Sequence, residues 1–549
     1  MIEHGAGDRD DSAPEPIGRE SDGAAGRRDA QPLSGWLAIA LVTGTSAAVL
    51  VLEILAGRLL APYVGVSLET FTGIIGVILA GIALGAWAGG VLADRVDPRR
   101  LLAPLLILGG ALAIATIPVV RLLGEASGSG GGPRILFLTT FGFLPSATVL
   151  SAVPPAVVKL QLRELATTGA TVGSLSAWGT AGAIFGTFFT GYVLVASAAV
   201  TTLIISVGLV LVLAGIALQL AFGVRQRREL LASVVVVAVT TATAAGVGTP
   251  CETQTAYYCV SIVSDAELAS GRTLVLDDLR HSYVDLDDPT HLEFWYVRRL
   301  VDAIDLWASS SDAAAQTTTP AEERAIDAVY LGGGALTLPR HVRATRPGSE
   351  QVVFEIDGDL VDLVVDRLGF VSGADIDVVI GDGRLLLRDL PNDSADVVIG
   401  DAFGGRAVPF HLTTRDFVDD IDAVLRDDGI YAVNVIDGGG EQFLRAHAAT
   451  VSDVFAHVVV VRGPLAVRGR RGNSVIVASQ RPLDAEALAD RLRAEIADDQ
   501  DETDQDETDQ DETVNGDVLA ADRLDDYLDG VRILTDDFAP VDQLLLRAG

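Results

Sequence analysis

The hydrophobic rhythm of the chain changes once, close to residue 250. Before that point apolar residues run on for about 20 positions or more, the length a bilayer-crossing helix needs. Seven such runs are expected as spans: Trp36–Leu60, Phe71–Ala93, Leu101–Leu123, Ile135–Val158, Val172–Ala196, Ala199–Phe222 and a shorter Leu230–Val247. Beyond Pro250 the runs shrink to strand length. Tyr258–Val263, Thr273–Leu276 and Ser282–Val284 predict a small β-rich lead-in, and Leu292–Leu306 has the period of a helix. Strands Ala325–Leu331, Val352–Phe354, Asp377–Ile380, Asp396–Gly400 and Ile430–Val435 follow, with helices Thr414–Leu425 and Gly440–Val454 and two closing strands, Val458–Val461 and Ser474–Ala478. Alternation of this kind predicts a doubly wound parallel α/β sheet. The expected fold is therefore a multi-pass α-helical membrane domain followed by the lead-in and an α/β doubly wound domain.

Polar segments set the boundaries. Residues 1–33 are rich in Gly, Asp, Arg and Ser and predict a disordered tail; the apolar run after them is too long for a signal peptide and lacks a cleavage pattern. The membrane domain is expected over 34–249, the lead-in and its helix over 250–308, a Ser/Thr/Ala/Pro-rich linker over 309–324, and the α/β domain over 325–549. An acidic insertion at 498–516 repeats Asp-Gln-Asp-Glu-Thr three times and cannot fold alone.

Charge speaks of habitat more than of function. The chain carries 40 basic against 74 acidic residues, a formal net charge of -34, and Lys159 is its single lysine. Dense carboxylates keep a surface hydrated in concentrated salt, so the composition predicts an extreme halophile. It excludes a nucleic-acid partner, because no basic stripe is present to neutralise phosphates. Molar salt would also screen the pull on a cationic substrate beyond about 3 Å.

Arginines orient the spans. Arg95, Arg99 and Arg100 follow the second run, Lys159 and Arg163 the fourth, and Arg225, Arg227 and Arg228 the sixth; the opposite loops hold Arg121 and Arg134, beside Arg58 at a span end. The even-numbered ends and the tail are expected in the cytoplasm, and seven spans then put the soluble domain outside the cell membrane. Cys251 and Cys259 are the only cysteines and stand just after the last run, which suits a disulfide in an oxidising space. No His or further Cys lies nearby to complete a metal site, so no metal is expected. Within the first run, Glu53 and Arg58 are ionisable at or near membrane depth, where they pair, snorkel or mark a ligand pathway. Gly81, Gly85 and Gly89 form a small-residue face suited to close helix packing, beside Gly90.

Candidate chemistry is concentrated at the carboxyl ends of the core strands, where open parallel sheets bind ligands. The first strand ends in Gly332-Gly333-Gly334, the second in Glu355-Ile356-Asp357, the third in Gly381-Asp382-Gly383 and the fourth at Asp401. Glu355 and Asp357 lie a little over 20 residues beyond the glycines, where an acid can take ribose hydroxyls. Asp382 falls near a purine. The turn has no Gly-Lys-Ser/Thr, which favours a nucleoside without phosphates. Asp401 faces the reacting end of such a ligand, as a general base or an anchor for an amine.

These residues resemble the spermidine synthase family, and specifically its membrane-fused branch. The resemblance runs through nearly all of the chain: Glu53-Ile54-Leu55-Ala56-Gly57-Arg58-Leu59-Leu60-Ala61-Pro62 and Gly89-Gly90-Val91-Leu92-Ala93-Asp94-Arg95 in the membrane half, then Asp401-Ala402-Phe403-Gly404-Gly405, His411-Leu412-Thr413-Thr414 and Asp536-Asp537-Phe538-Ala539-Pro540-Val541. It implies a class I methyltransferase-like Rossmann domain that moves the aminopropyl group of decarboxylated S-adenosylmethionine, a co-substrate and not a tightly bound cofactor, to a diamine such as putrescine. By the resemblance Glu355 grips the ribose, Asp382 and Gly383 contact the adenine, and Asp401 orients and deprotonates the amine. Asp287, Asp288 and Glu293 correspond to the family's diamine-binding segment, with His291 where a tyrosine is usual. A homodimer is an assembly open to such a chain. Other departures are Ala335 and Gly404, each in place of an aspartate, and Tyr258 in place of a glutamine. They leave open an S-adenosylmethionine-dependent methyltransferase, or a non-catalytic polyamine- or nucleoside-binding protein of transport or sensing.

Overall fold

The computed structural model describes residues 33–126, 132–162, 168–222, 248–310, 320, 323–373, 375–402, 408–503 and 516–546, with scattered helical positions between 235 and 246. The expected tail, most of the linker, most of the acidic repeat and most of the seventh run lie outside the described residues, as does the segment 403–407.

The apolar runs form helices. Helix α1 spans Gly35–Val64, α2 Leu68–Arg95 and α3 Pro98–Ala126. The fourth run is broken into α4 (Gly132–Gly142), α5 (Leu144–Ser151) and α6 (Val153–Gln161), with a bend of 46° after the first piece. Proline explains the breaks, because Pro145, Pro154 and Pro155 each lack an N–H and crowd the preceding turn. The Thr116 hydroxyl donates to the Gly142 carbonyl at 2.9 Å, giving a partner to an oxygen at the break. Helix α7 (Thr168–Phe189) runs through a π-helical turn into the short α8 (Val195–Ser197), and α9 spans Val200–Ala221. Among the described residues four helices are long and apolar enough to cross a membrane, or five if the bent pair is one span.

The glycine face of α2 packs closely. A Cβ on Gly85 would come within 2.2 Å of the Thr148 carbonyl, and one on Gly89 within 2.6 Å of Ala152, whereas Gly90 has nothing within 4 Å. At the far end of these helices Lys159 pairs with Asp94.

The soluble half begins with an antiparallel sheet, β1 (Thr253–Gln254), β2 (Cys259–Ser264), β3 (Gly271–Leu276) and β4 (Leu279–Asp285). Cys251 and Cys259 form a disulfide at its edge, Cα–Cα 5.5 Å. The second sheet has eight strands in the order β12-β10-β11-β9-β8-β5-β6-β7. Strands β5 (Asp327–Leu331), β6 (Glu350–Glu355), β7 (Ile376–Ile380), β8 (Ala395–Gly400) and β9 (Leu425–Asp437) are parallel. The sheet is nonetheless mixed, since β10 (His457–Arg462), β11 (Gly472–Ser479) and β12 (Asp517–Leu519) add antiparallel ladders. The link from Arg462 to Gly472 is too short for a crossover helix, so β11 must reverse on β10. Helix Trp295–Ser310 packs against β9 and β11 and joins the lead-in to the main sheet.

Candidate active site

The turn after β5 is built from glycine for want of space. Gly332 has φ of +97°, and a Cβ there would lie 2.5 Å from the Asp401 carbonyl. This close approach brings the ends of β5 and β8 together. Glu355, at the end of β6, is buried behind the turn. Its Oε2 accepts the N–H groups of Gly333 (2.8 Å) and Gly334 (3.3 Å), and its Oε1 that of Asp357 (3.0 Å). Burial raises its carboxyl above the usual range, against the pull of those amides.

Asp357 is engaged elsewhere. Its Oδ1 caps helix Gly358–Leu368 through the Leu360 N–H, and its Oδ2 accepts the Thr255 hydroxyl. It is not among the residues that line the cavity at the strand ends. Asp382 accepts the N–H groups of Arg384 and Leu385 on Oδ1 and meets His411 Nε2 at 3.0 Å on Oδ2. A cavity of about 200 Å³ gathers Gly332, Gly334, Glu355, Asp382, Gly383 and Asp401, with Tyr257, Tyr258 and His411.

Asp401 also lines a second cavity of about 610 Å³, with His281, Glu293, Trp295, Tyr296 and Asn434. Its Oδ1 accepts the Asn434 amide at 2.9 Å and its Oδ2 the Tyr296 hydroxyl at 3.2 Å. Enclosure by protein pushes the carboxyl up to about 7, against the lowering effect of those two donors. Asn473 Nδ2 donates to Asn434 Oδ1 at 2.9 Å, which fixes the amide so that its nitrogen faces Asp401. The Tyr296 oxygen also lies 3.3 Å from the His281 carbonyl. Its one proton can therefore face Asp401 when the carboxylate is ionised, or His281 when Asp401 carries a proton. Burial pushes the His281 imidazole down to about 4, leaving it neutral near pH 7.

Of the residues proposed for the amine, Glu293 alone lines the second cavity. Asp288 is exposed, and its Oδ1 accepts the Thr290 N–H and hydroxyl at 2.9 and 2.6 Å. His291 packs on Tyr283 and lies 3.5 Å from Glu293. The polar groups gathered around Asp401 are barely legible in the sequence. Asn434 left a signal, a polar residue interrupting the apolar strand Ile430–Val435; Tyr296, Asn473 and His281 left none that spacing could reveal.

No protein-family model matches the chain. A probable polyamine aminopropyl transferase of Bifidobacterium longum (strain NCC 2705) is 29% identical over 137 residues, 25% of this chain and 30% of the relative. A polyamine aminopropyltransferase of Vibrio vulnificus (strain CMCP6) is 27% identical over 175 residues, 30% of this chain and 56% of the relative. The matched stretches are similar to polyamine aminopropyltransferases. They span under a third of the first relative's length and just over half of the second's. A solved structure of a probable spermidine synthase from Corynebacterium glutamicum ATCC 13032 superposes with a TM-score of 0.45 at 21% identity, covering 54% of this chain and 99% of that one. Of the departures from the family's pattern, Ala335 is fully buried in the core, its N–H donating to Ser282 Oγ at 3.2 Å. Gly404 lies outside the described residues.

Proposed function

We propose that the chain is a membrane-bound aminopropyltransferase. In this reading decarboxylated S-adenosylmethionine occupies the cavity behind the glycine turn, and an amine such as putrescine occupies the cavity beyond Asp401. The observation that carries it is the position of Asp401 on the wall between the two cavities, with its carboxyl poised near neutrality. The amine nitrogen attacks the methylene carbon bound to the sulfonium, the C–S bond breaks, and methylthioadenosine leaves as a neutral thioether. The proton lost from nitrogen passes to Asp401, and Tyr296 can turn its hydroxyl to the His281 carbonyl as that happens. The test is mass spectrometry of full-length protein in molar salt with both substrates. Methylthioadenosine and spermidine from wild type but not from Asp401→Asn are expected; a folded wild type that makes neither sinks the reading.

A second reading, methyl transfer from S-adenosylmethionine, is favoured by Ala335. An apolar residue in the core offers nothing to the donor's ammonium, which the family's aspartate would hold. A methyl-sized mass gain on an acceptor would separate the two.

The helices are proposed to cross the cell membrane with the soluble half outside. Three contacts support this: the end of α1 at Arg58 reaches Thr255, the start of α9 at Val200 reaches Gln254, and the N–H of Leu68 in α2 reaches Asp542. The Asp94–Lys159 pair, at the basic ends of α2 and α6, lies at the opposite ends of those spans.

A further inference from the structure

The turn Thr255–Tyr258 has membrane helices on one side and the nucleoside cavity on the other. Arg58, near the end of α1, donates from Nη2 to the Thr255 carbonyl at 2.7 Å. Gln254 Oε1 accepts the N–H of Val200, the first residue of α9, at 3.0 Å. The disulfide Cys251–Cys259 brackets the segment. From Thr255 the contacts continue inward. Its hydroxyl donates to Asp357, and its Oγ1 accepts the N–H groups of Tyr257 (3.2 Å) and Tyr258 (2.9 Å), whose side chains line the cavity. The Asp357 N–H in turn holds Glu355 Oε1 at 3.0 Å. Four hydrogen-bonded residues thus lead from a membrane helix to the acid behind the glycine turn.

Charge gives Arg58 a second hold on the same place. Asp277 accepts the Cys259 N–H on Oδ1 at 3.0 Å, while its Oδ2 is buried without a hydrogen-bond partner among the described residues. Burial pushes the Asp277 carboxyl up to about 6, opposed by the Cys259 N–H and by the positive charge of Arg58. An arginine near a span end ordinarily snorkels to water or lipid headgroups. Here it turns into the soluble half, toward a carbonyl and two acids, Asp277 and Asp357.

We propose that Arg58 is a positioning residue for the nucleoside cavity, acting through Thr255 and Asp357, so that the packing of the membrane helices sets how tightly the soluble half holds its nucleoside. The inference rests on the reading of that cavity as a nucleoside site. By linkage the coupling is reciprocal: an occupied cavity favours the helix arrangement in which Arg58 meets Thr255.

The experiment uses full-length protein in lipid nanodiscs at molar salt, with methylthioadenosine as the probe and calorimetry as the readout. Wild type is measured first; if it binds no methylthioadenosine, the nucleoside reading itself has failed and this inference falls with it. With wild-type binding in hand, Arg58→Ala is expected to weaken affinity about tenfold, the scale of one charge-assisted hydrogen bond. It should raise KM for the adenosyl donor in proportion and leave kcat nearly unchanged. Arg58→Lys should recover most of the loss. Thr255→Val keeps the carbonyl that Arg58 meets but cuts the link to Asp357, and it should weaken binding as well. The double variant should then be little worse than the weaker single, because both cut one path. A folded Arg58→Ala protein with wild-type affinity overturns the proposal, as do fully additive losses. Where Arg58→Ala does not fold, wild-type affinity in Thr255→Val overturns it.

Discussion

Glu355, Asp357 and Asp382 look alike in the sequence, each an acid just past a strand, but their oxygens are engaged differently. Asp357 is taken up by a helix cap and Thr255, Glu355 by backbone amides, and Asp382 by its own helix and His411. Asp401 stands apart because both partners of its carboxyl are side chains, an amide held in place by Asn473 and a hydroxyl that can turn. Its ionised form is the one that accepts a proton, so the rate of transfer is expected to rise through about pH 7 and level off above it. Asn434 donates to the ionised form and lowers this value, so Asn434→Ala should move the rising limb to higher pH. It should also destabilise the fold by about 1–3 kcal/mol at alkaline pH, by leaving a carboxylate oxygen unpaired. The sign for stability runs the other way from that for activity. A carboxyl raised by folding favours the fold while protonated, and that contribution is lost as pH climbs from the unfolded value through about 7. Asp401→Asn is therefore expected to melt above wild type at pH 8 while transferring nothing; thermal melts at pH 5 and 8 beside the assay check both halves.

At the scale of elements, small residues and prolines shape the membrane half. The close approach of α2 to α5 and α6 depends on glycine, since at Gly85 even one methyl would overlap the Thr148 backbone. Gly85→Val should cost about 1–3 kcal/mol through overpacking. Gly90→Ala, with open space around it and a better helix former in place, should be neutral or stabilising by up to about 1 kcal/mol. Thermal unfolding of the two variants in detergent tests the contrast, and equal losses would contradict the packing account. The glycine spacing was readable in the sequence because a helix repeats its face every three to four residues. The split of the fourth run is not visible in its apolarity, which is continuous; only the missing N–H groups of Pro145, Pro154 and Pro155 mark it. The reversed direction of β10 and β11 is hidden in the same way. An apolar strand has the same period in either direction, and only the length of the link fixes which it takes.

Among the described residues, polar contacts of Arg58, Gln254 and Asp542 join the two halves of the molecule. The sequence leaves Arg58 as a partner for Glu53, a snorkelling group or part of a ligand pathway. It goes instead to a carbonyl 197 residues further along the chain, a pairing no spacing could suggest. The side of the membrane is open to direct measurement. Reporter fusions after Pro250 and after Arg100 are expected to report opposite faces, with the soluble half external. A cytoplasmic signal at Pro250 would contradict the proposed topology, and with it the disulfide as a feature of an oxidising space.

Runs of apolar residues, their change of length near residue 250 and the acids closing successive strands are properties of local sequence, because burial and backbone pairing impose fixed periods and lengths on each element. From these alone came the membrane helices, the α/β core and the order of Glu355, Asp382 and Asp401 along it. The partners of those acids are a different matter. Tyr296 and Asn434 reach Asp401 from a helix and another strand, the His281 carbonyl meets the Tyr296 hydroxyl, and Arg58 reaches Thr255 from the first membrane helix. Proton affinity and positioning depend on desolvation and on distances of about 3 Å between segments far apart in the chain, and such distances exist only once the elements have packed.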